Sequence, residues 1–540
     1  MTVIMKCKDI SKEYGDKVIL KNINLDLKLG EKVGIVGENG AGKTTLVNII
    51  TGNSVATSGE VIWYKEGIKV GYMKQATDYT NLQSSLSGGE RTKALLKSII
   101  YGDFNLLILD EPTNHLDYEG VSWLIKKVNE FKGTIIIISH DRYFLDKTVN
   151  KIIEIEDKAV KNYNGNYTAY RDKKKKNFQD QMHSYIEQEK VKEKINNQIA
   201  ELKKWSNKAH KEAGKKAIET GNKVGGKQFN RAKAKKMDAQ VKSKIKRLQK
   251  LQVEGVDKPK EEGYIVFNGT SAGKIGSVVL EAKDISKAYD NKVLFNKSSF
   301  YIKQGEKVGV YGPNGCGKTT LIKAILGQEE IEGEINISSS RKIGYISQDI
   351  LDINEEISII EAFKINSRKE LGKLRSDLAL IGFDAESLNK KIKYLSLGER
   401  MKIKLLLLIR ESYEVLILDE PTNHIDLHVR EQLESVLEKY NGTIILVTHD
   451  RYMMEKICDK LLVFDNKEIK RYEYNFSEYL EKISEKKEKK INRAEENLII
   501  DNRITCIISE LSITNKDSVR YKELEKQYNE LLNKRKLLNN

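Results

Sequence analysis

Proline and cysteine are scarce in this 540-residue chain, with four of each. The cysteines Cys7, Cys316, Cys458 and Cys506 are scattered and form no C-x-x-C pair. That argues against a disulfide framework or a structural zinc site, and fits a reducing cytoplasm. Long apolar runs are also missing. Stretches such as Ile135–Ile138 and Leu405–Ile409 fall far short of the roughly 18–20 residues a membrane helix needs, so the chain cannot itself form a helical channel. The N-terminus carries no charged-then-apolar leader, so secretion is not expected. Three of the four prolines, Pro112, Pro313 and Pro421, lie inside repeated motifs, and only Pro259 stands elsewhere.

Charge is abundant but unevenly placed. The net charge is +16, and the 80 residues Arg171–Lys250, with 25 basic and 9 acidic side chains, account for all of it. A neutral body with one basic segment suggests a polyanionic partner for that segment. A solvated charged helix is the plainer alternative.

An internal repeat organises the rest. GENGAGKTT at Gly37–Thr45 returns as GPNGCGKTT at Gly312–Thr320. LSGGER at Leu86–Arg91 returns as LSLGER at Leu395–Arg400, LLILDEPTNHLD at Leu106 as VLILDEPTNHID at Val415, and SHDRY at Ser139 as THDRY at Thr448. Lys43 and Lys318 are 275 residues apart, but the three later pairs are each 309 apart, so the second copy carries 34 extra residues. Gln75 and Gln348, 273 apart, place the insertion after the glutamine. One domain thus occurs twice, and its first copy lacks most of one subdomain.

Between the copies, Arg171–Val253 reads as two long helices. Ile195, Ile199 and Leu202, then Met237, Val241, Ile245 and Leu248, recur at spacings of three and four. Gly214, Gly221, Gly225 and Gly226 cluster at the expected bend. A helix of about 35–40 residues would be about 55 Å long, far more than joining two domains requires. The expected tip, Asn207–Asn230, holds Lys208, Lys211, Lys215, Lys216, Lys223 and Lys227, with Arg231 beyond it. Trp205 and Phe229 flank it, and either stack on bases or lock the two helices together.

The repeated motifs carry phosphate chemistry. G-x-x-x-x-G-K-T stands between a β-branched run (Val33–Val36; Val308–Val310) and a helical stretch such as Thr44–Ile50. Glycines Gly37, Gly40 and Gly42, and Gly312, Gly315 and Gly317, let backbone N–H groups curl toward phosphate oxygens, and the helix N-terminus adds partial positive charge. Lys43 and Lys318 would reach the β- and γ-phosphates, and the Thr44 and Thr319 hydroxyls would bind Mg²⁺. The buried-strand runs Leu106–Leu109 and Val415–Leu418 each end in Asp-Glu. Asp110 or Asp419 is placed for the Mg²⁺ shell, and Glu111 or Glu420 can polarise the attacking water. The alternative is a strand-end cap.

Together these motifs resemble the nucleotide-binding domains of the ATP-binding cassette superfamily, whose signature is LSGGE. The resemblance implies two cassettes facing head to tail, each ATP held between one P-loop and the opposite signature. Lys43 and Thr44 would then share an ATP with Ser396, Gly398 and Glu399, while Lys318 and Thr319 would share one with Ser87, Gly88 and Gly89. Asn39, Thr45, Asn314 and Thr320 complete the two loops. Tyr14 and Tyr289, each 23 residues before the first loop glycine, match the aromatic that stacks on adenine. Gln75 and Gln348 match the metal- and water-sensing glutamine, and His140 and His449 the γ-phosphate switch. Leu397 departs from the pattern by replacing the middle signature glycine, which implies an asymmetric pair of sites.

Two cassettes in one chain without a membrane span resemble the ABC-F branch. The resemblance implies an α/β protein of two P-loop cassettes (1–166 and 277–474), joined by a long antiparallel helical linker (167–276) and followed by a helical C-terminal extension (475–540). It implies an ATPase using ATP and Mg²⁺, acting as a cytoplasmic monomer whose linker reaches into the ribosome, toward rRNA and peptidyl-site tRNA, from the tRNA exit site. Only ten residues separate Gln75 from Leu86, too few for the stalk-contacting insertion of some housekeeping members. The short first cassette, glycine-bearing linker, C-terminal extension and Lys-, Ile- and Asn-rich composition resemble the resistance proteins of low-GC Gram-positive bacteria. These displace lincosamides, pleuromutilins and streptogramin A from the peptidyl-transferase centre. A housekeeping translation factor, a DNA-associated ABC-F ATPase and a transporter's energy subunit are the alternatives.

Overall fold

The computed structural model describes residues 2–74, 88–219, 225–253, 255–259, 277–289, 292–338, 342–347, 354–365, 367–381, 383, 387–411, 413–422, 425–513 and 519–539. In the first cassette, β1 (Val3–Tyr14), β2 (Lys17–Lys28), β3 (Lys32–Gly37), α1 (Lys43–Ile50), β4 (Ser58–Trp63) and β5 (Val70–Met73) come first. Then follow α2 (Gly88–Ile100), β6 (Leu106–Asp110), α3 (Tyr118–Glu130), β7 (Thr134–Ile138), α4 (Arg142–Thr148), β8 (Lys151–Glu156) and β9 (Ala159–Asn164). Among the described residues they form a three-stranded antiparallel sheet, order β2-β1-β4, and a six-stranded sheet, order β5-β6-β7-β3-β8-β9.

Every residue of β6 and β7 is buried. That is why both read as unbroken apolar runs: strands of a parallel sheet covered on two faces have no polar side to show. In β2 burial alternates toward the end of the strand, the pattern of a sheet with one wet face. Asp157 and Lys158, both at positive φ, close a two-residue turn between β8 and β9, where such a turn matches the strand twist.

Two helices follow, α5 (Tyr167–Glu219, 53 residues) and α6 (Gly225–Val253, 29 residues). Their lengths depart from the expected one of about 35–40 residues, one longer and one shorter. The first begins before Arg171 and runs about 80 Å at 1.5 Å per residue. Gly214 lies inside it rather than at the bend. One glycine costs about 1 kcal/mol in a helix, and its neighbours Ala213, Lys215, Lys216 and Ala217 are strong helix formers. Among the described side chains of the hairpin, Ile195, Ile199 and Val241 are buried, with Leu202, Ile245 and Leu248 packed against them.

The second cassette repeats the plan with β10 (Val278–Tyr289), β11 (Lys292–Lys303), β12 (Lys307–Tyr311), α7 (Lys318–Ile325), β13 (Glu332–Ile337) and β14 (Ile343–Ile346). The added subdomain holds α8 (Ile359–Ala362) and α9 (Arg368–Leu380), packed on a core that includes Leu374, Leu378 and Ile381. Next come α10 (Leu397–Arg410), β15 (Val415–Asp419), α11 (Leu427–Glu438), β16 (Thr443–Val447), α12 (Arg451–Ile457), β17 (Lys460–Asp465) and β18 (Glu468–Tyr472). Its sheets run β11-β10-β13 and β14-β15-β16-β12-β17-β18. Helices α13 (Phe476–Ile513) and α14 (Val519–Asn539) end the chain. Among the described residues, no helix is long and apolar enough to cross a membrane.

Candidate nucleotide sites

Strand order assembles each site. β6, β7 and β3 are adjacent and parallel, so their C-terminal ends bring Asp110–Glu111, His140 and the glycine loop to one edge. β15, β16 and β12 do the same for Asp419–Glu420, His449 and the second loop. The carboxyl edge of a parallel sheet is where such folds hold ligands.

The loop after β3 ends at Gly42, which precedes α1 with φ of +100°. A Cβ there would lie 2.8 Å from Ile19 Cγ2, so only glycine fits. No side chain caps α1, nor α7 behind Gly317. A helix N-terminus without a side-chain cap suits an anion. Lys43 Nζ donates to the carbonyls of Gly37 (2.8 Å) and Glu38 (3.0 Å). Lys318 Nζ does likewise to Gly312 (2.8 Å) and Pro313 (3.1 Å). Each ammonium is folded over its own loop, next to the N–H cradle. Asn39, Gly40, Asn314 and Gly315 are exposed on the loop crests, and Thr45 and Thr320 lie half-buried in the first helical turns.

The carboxylates follow. Thr44 Oγ1 donates to Asp110 Oδ2 at 3.2 Å, joining the helix to the buried end of β6. Asp419 is buried at the matching place; burial raises its carboxyl above the usual range, while the Thr319 hydroxyl opposes the shift. Glu111 and Glu420 sit at φ of +50° and +49°. Backbone held in that region costs of order 1–3 kcal/mol and persists where the surroundings impose it. Here the amides donate to the ends of the neighbouring strands, Glu111 to Ile138 (2.8 Å) and Glu420 to Val447 (2.9 Å).

Each glutamate then faces its histidine. His140 N donates to Glu111 Oε2 at 3.3 Å, and its Nε2 is 3.5 Å from Oε1. His449 N donates to Glu420 Oε2 at 3.4 Å, with the same 3.5 Å from Nε2 to Oε1. Burial pushes Glu420 up to about 8, against the pull of Lys318. A carboxylate so raised is matched to proton transfer near neutral pH. A curled N–H cradle, an ammonium, a hydroxyl beside a buried carboxylate and a second carboxylate form a donor set that fits a nucleoside triphosphate with a divalent cation.

Further residues, passed over in the sequence reading, brace the histidines. Asp141 and Asp450 cap α4 and α12, accepting from Phe144 N (2.9 Å) and Met453 N (3.1 Å). Ser139 and Thr448 accept from the amides of those aspartates at 3.0 Å and lie 3.4 Å from Thr113 and Thr422. The 309-residue recurrence of PTN and S/T-H-D was the available signal.

Tyr14 and Tyr289 end β1 and β10 with open rings, and the Lys12 and Lys287 ammonium groups each lie 4.9 Å from the ring centre. Gly88 and Gly89 open α2. At the other signature, Ser396 and Glu399 form a reciprocal cap on α10: Ser396 N and Oγ donate to Glu399 Oε2 (2.8 and 2.9 Å), and Glu399 N donates to Ser396 Oγ (3.3 Å). Gly398 is buried in that first turn. Gln75, Ser87 and Gln348 lie outside the described residues, as does the Leu397 side chain.

On the linker, Trp205 is 63% exposed and does not lock the helices together. The neighbouring Ser206 does, donating to Asp238 at 2.8 Å. Lys208 is exposed. Lys223 and the side chains of Lys211, Lys215, Lys216, Lys227, Phe229 and Arg231 lie outside what is described.

A family profile described as ABC transporter matches residues 20–78 and 295–423, and a second with the same description matches 153–225. The chain is 37% identical to the ribosome protection protein VmlR of Bacillus subtilis (strain 168), over 98% of this chain and 97% of that one. It is 27% identical to the energy-dependent translational throttle protein EttA of Mycobacterium tuberculosis, over 88% of this chain and 95% of that one. Among solved structures, the RNase-L Inhibitor shares the fold, with a TM-score of 0.57 at 19% identity, over 88% of this chain and 92% of that one.

Proposed function

We propose a function on the premise that this chain belongs to the ABC-F family of tandem-cassette ATPases: it acts on the ribosome, in the cytoplasm, and displaces antibiotics of the peptidyl-transferase centre. Lincosamides, pleuromutilins and streptogramin A are the drug classes concerned. The observation that carries this reading is the 37% identity to a ribosome protection protein over nearly the whole of both chains. The basic hairpin adds physical support, because its charge is attracted to RNA phosphate.

In the proposed cycle, one monomer closes its cassettes on two ATP molecules. Lys43 and Thr44 act with Ser396, Gly398 and Glu399; Lys318 and Thr319 act with Ser87, Gly88 and Gly89. Tyr14 and Tyr289 stack on adenine. Asp110, Thr44 and Gln75, and Asp419, Thr319 and Gln348, would hold Mg²⁺, which when bound neutralises charge on the β- and γ-phosphate oxygens. Glu111 and Glu420 take a proton from the water that attacks the γ-phosphorus, and ADP and phosphate leave. His140 and His449 hold the γ-phosphate edge. Closure docks the linker toward the peptidyl-transferase centre beside the peptidyl-site tRNA, with Trp205 and the tip lysines against RNA. Hydrolysis reopens the cassettes and releases the protein.

A membrane-free translation reaction stalled by lincomycin or tiamulin tests this reading. Restored synthesis on adding the protein and ATP is expected. No rescue, from a preparation that hydrolyses ATP and binds ribosomes, would leave a second reading standing: a housekeeping translation factor at the tRNA exit site. The 95% coverage of the translational throttle protein favours that alternative.

A further inference from the structure

A short rigid path joins the first nucleotide site to the linker. His140, beside Glu111, is followed by Asp141, which caps α4. At the far end of α4, Asp146 Oδ1 accepts from Thr168 N at 2.8 Å, in the first turn of α5. Asn166, the cap of α5, accepts from Ala169 N at 3.1 Å, and its amide approaches the Asp146 carbonyl at 3.5 Å. α5 therefore starts on two acceptors, one its own and one supplied by α4. A carboxylate also suits the positive end of a helix. The same end is clamped to β8, where Glu154 accepts from Tyr170 Oη (2.6 Å) and pairs with Lys174.

The second cassette has the same cap without the bridge. Asn475 accepts from Glu478 N at 3.0 Å at the start of α13. The residue matching Asp146 is Glu455, which pairs with Arg451 at 2.7 Å. Tyr472 and Tyr479 pack with tilted rings, 5.2 Å between centroids, where the first cassette has its Tyr163–Tyr170 pair, and Val463 replaces Glu154.

We infer that Asp146 is a positioning residue that couples the nucleotide state at His140 to the direction in which the linker leaves the first cassette. This rests on the reading of His140 as a γ-phosphate contact. A seven-residue helix fixed by carboxylates at both ends moves as one body, so a shift at its N-terminus reaches α5 through the Asp146–Thr168 bond. The second cassette, lacking that bond, does not steer its hairpin in the same way.

Hydrogen exchange on the full chain tests it, comparing ADP with ATP under conditions that prevent turnover. In the wild type, exchange in the first turns of α5 should differ by about fivefold between the two nucleotides, the scale of one helix cap. Asp146→Ala should remove that difference while protection of Gly37–Thr44 by nucleotide persists. Asp146→Asn, which keeps an acceptor, should restore most of it, and Glu455→Ala should leave it unchanged. A merely structural cap would raise α5 exchange equally with both nucleotides, and that result overturns the inference. So does a wild-type chain whose loop is protected while α5 shows no nucleotide dependence. Lack of loop protection by either nucleotide would instead sink the nucleotide-site reading on which the inference stands.

Discussion

Lys43 and Lys318 donate to the first glycine of their loops at the same 2.8 Å, and His140 and His449 stand the same 3.5 Å from Glu111 and Glu420. The hairpins that leave the two cassettes also begin at matching places: Tyr167 and Phe476 are 309 residues apart, the offset of the later motifs. The hairpins have nevertheless diverged. The linker carries a net +16 across Arg171–Lys250, whereas residues 475–540 hold 14 basic and 12 acidic side chains. Both are rooted on aromatic rings, but carboxylates are added at the root of the linker, where Asp146 and Glu154 accept from Thr168 and Tyr170. Phosphate chemistry tolerates displacements of only about 0.5 Å in its groups, so the duplicated sites stayed alike. A helical surface faces no such limit once its seam is packed, and its charge was free to follow its partner.

The largest expected effect would break the equivalence of the sites. Glu111→Gln with Glu420→Gln should cut ATP turnover by about 10²–10⁴-fold, the usual worth of a general base, and co-sedimentation should find the protein held on ribosomes. Normal release by that double variant would sink the proposed cycle. Between the single variants, Glu420→Gln should cost more, because the Leu397 signature would serve the site of Glu111. Equal losses would remove Leu397 as a source of asymmetry.

Hairpin stability comes next. Ile199→Ala should destabilise the linker by about 2–5 kcal/mol, read as faster amide exchange along α6. Among the described side chains, the other buried apolar members of the seam are Ile195 and Val241. Ile504→Ala in the C-terminal hairpin should loosen it less, since Ile500, Ile507 and Leu524 stay buried. The reverse order would show that this linker seam is not what holds its helices together.

The smallest effect concerns charge. Replacing exposed Lys203, Lys204 and Lys208 by Gln should lower the salt slope of ribosome binding by about one for each lysine that meets a phosphate. Replacing Lys522, Lys526 and Lys534 in the tail should leave the slope where it was. A matching drop from the tail would erase the functional contrast between the hairpins.

Much of this was readable in the chain. G-x-x-x-x-G-K-T, Asp-Glu after a buried run, and the repeat offsets located Lys43, Asp110, Glu111 and their partners because each is local chemistry on a few consecutive residues. Of the glycines expected at the bend, Gly214 lies within α5, because a glycine in a strong helical context is outvoted by its neighbours. Asp146 escaped notice because its partner, Thr168, belongs to the next helix. Ser396 and Glu399 were read as ligand contacts, and their reciprocal cap emerged only with the start of α10.

The sequence by itself determined that a P-loop cassette occurs twice, that the second copy has an added subdomain, and that the surplus charge lies between the copies. These are properties of residue type and spacing. Only the tertiary structure decided that β6, β7 and β3 are neighbours, and so that a loop, two carboxylates and a histidine separated by up to about a hundred residues meet at one sheet edge. Strand order depends on how buried faces pack and on the handedness of each crossover, and neither is written in any one segment.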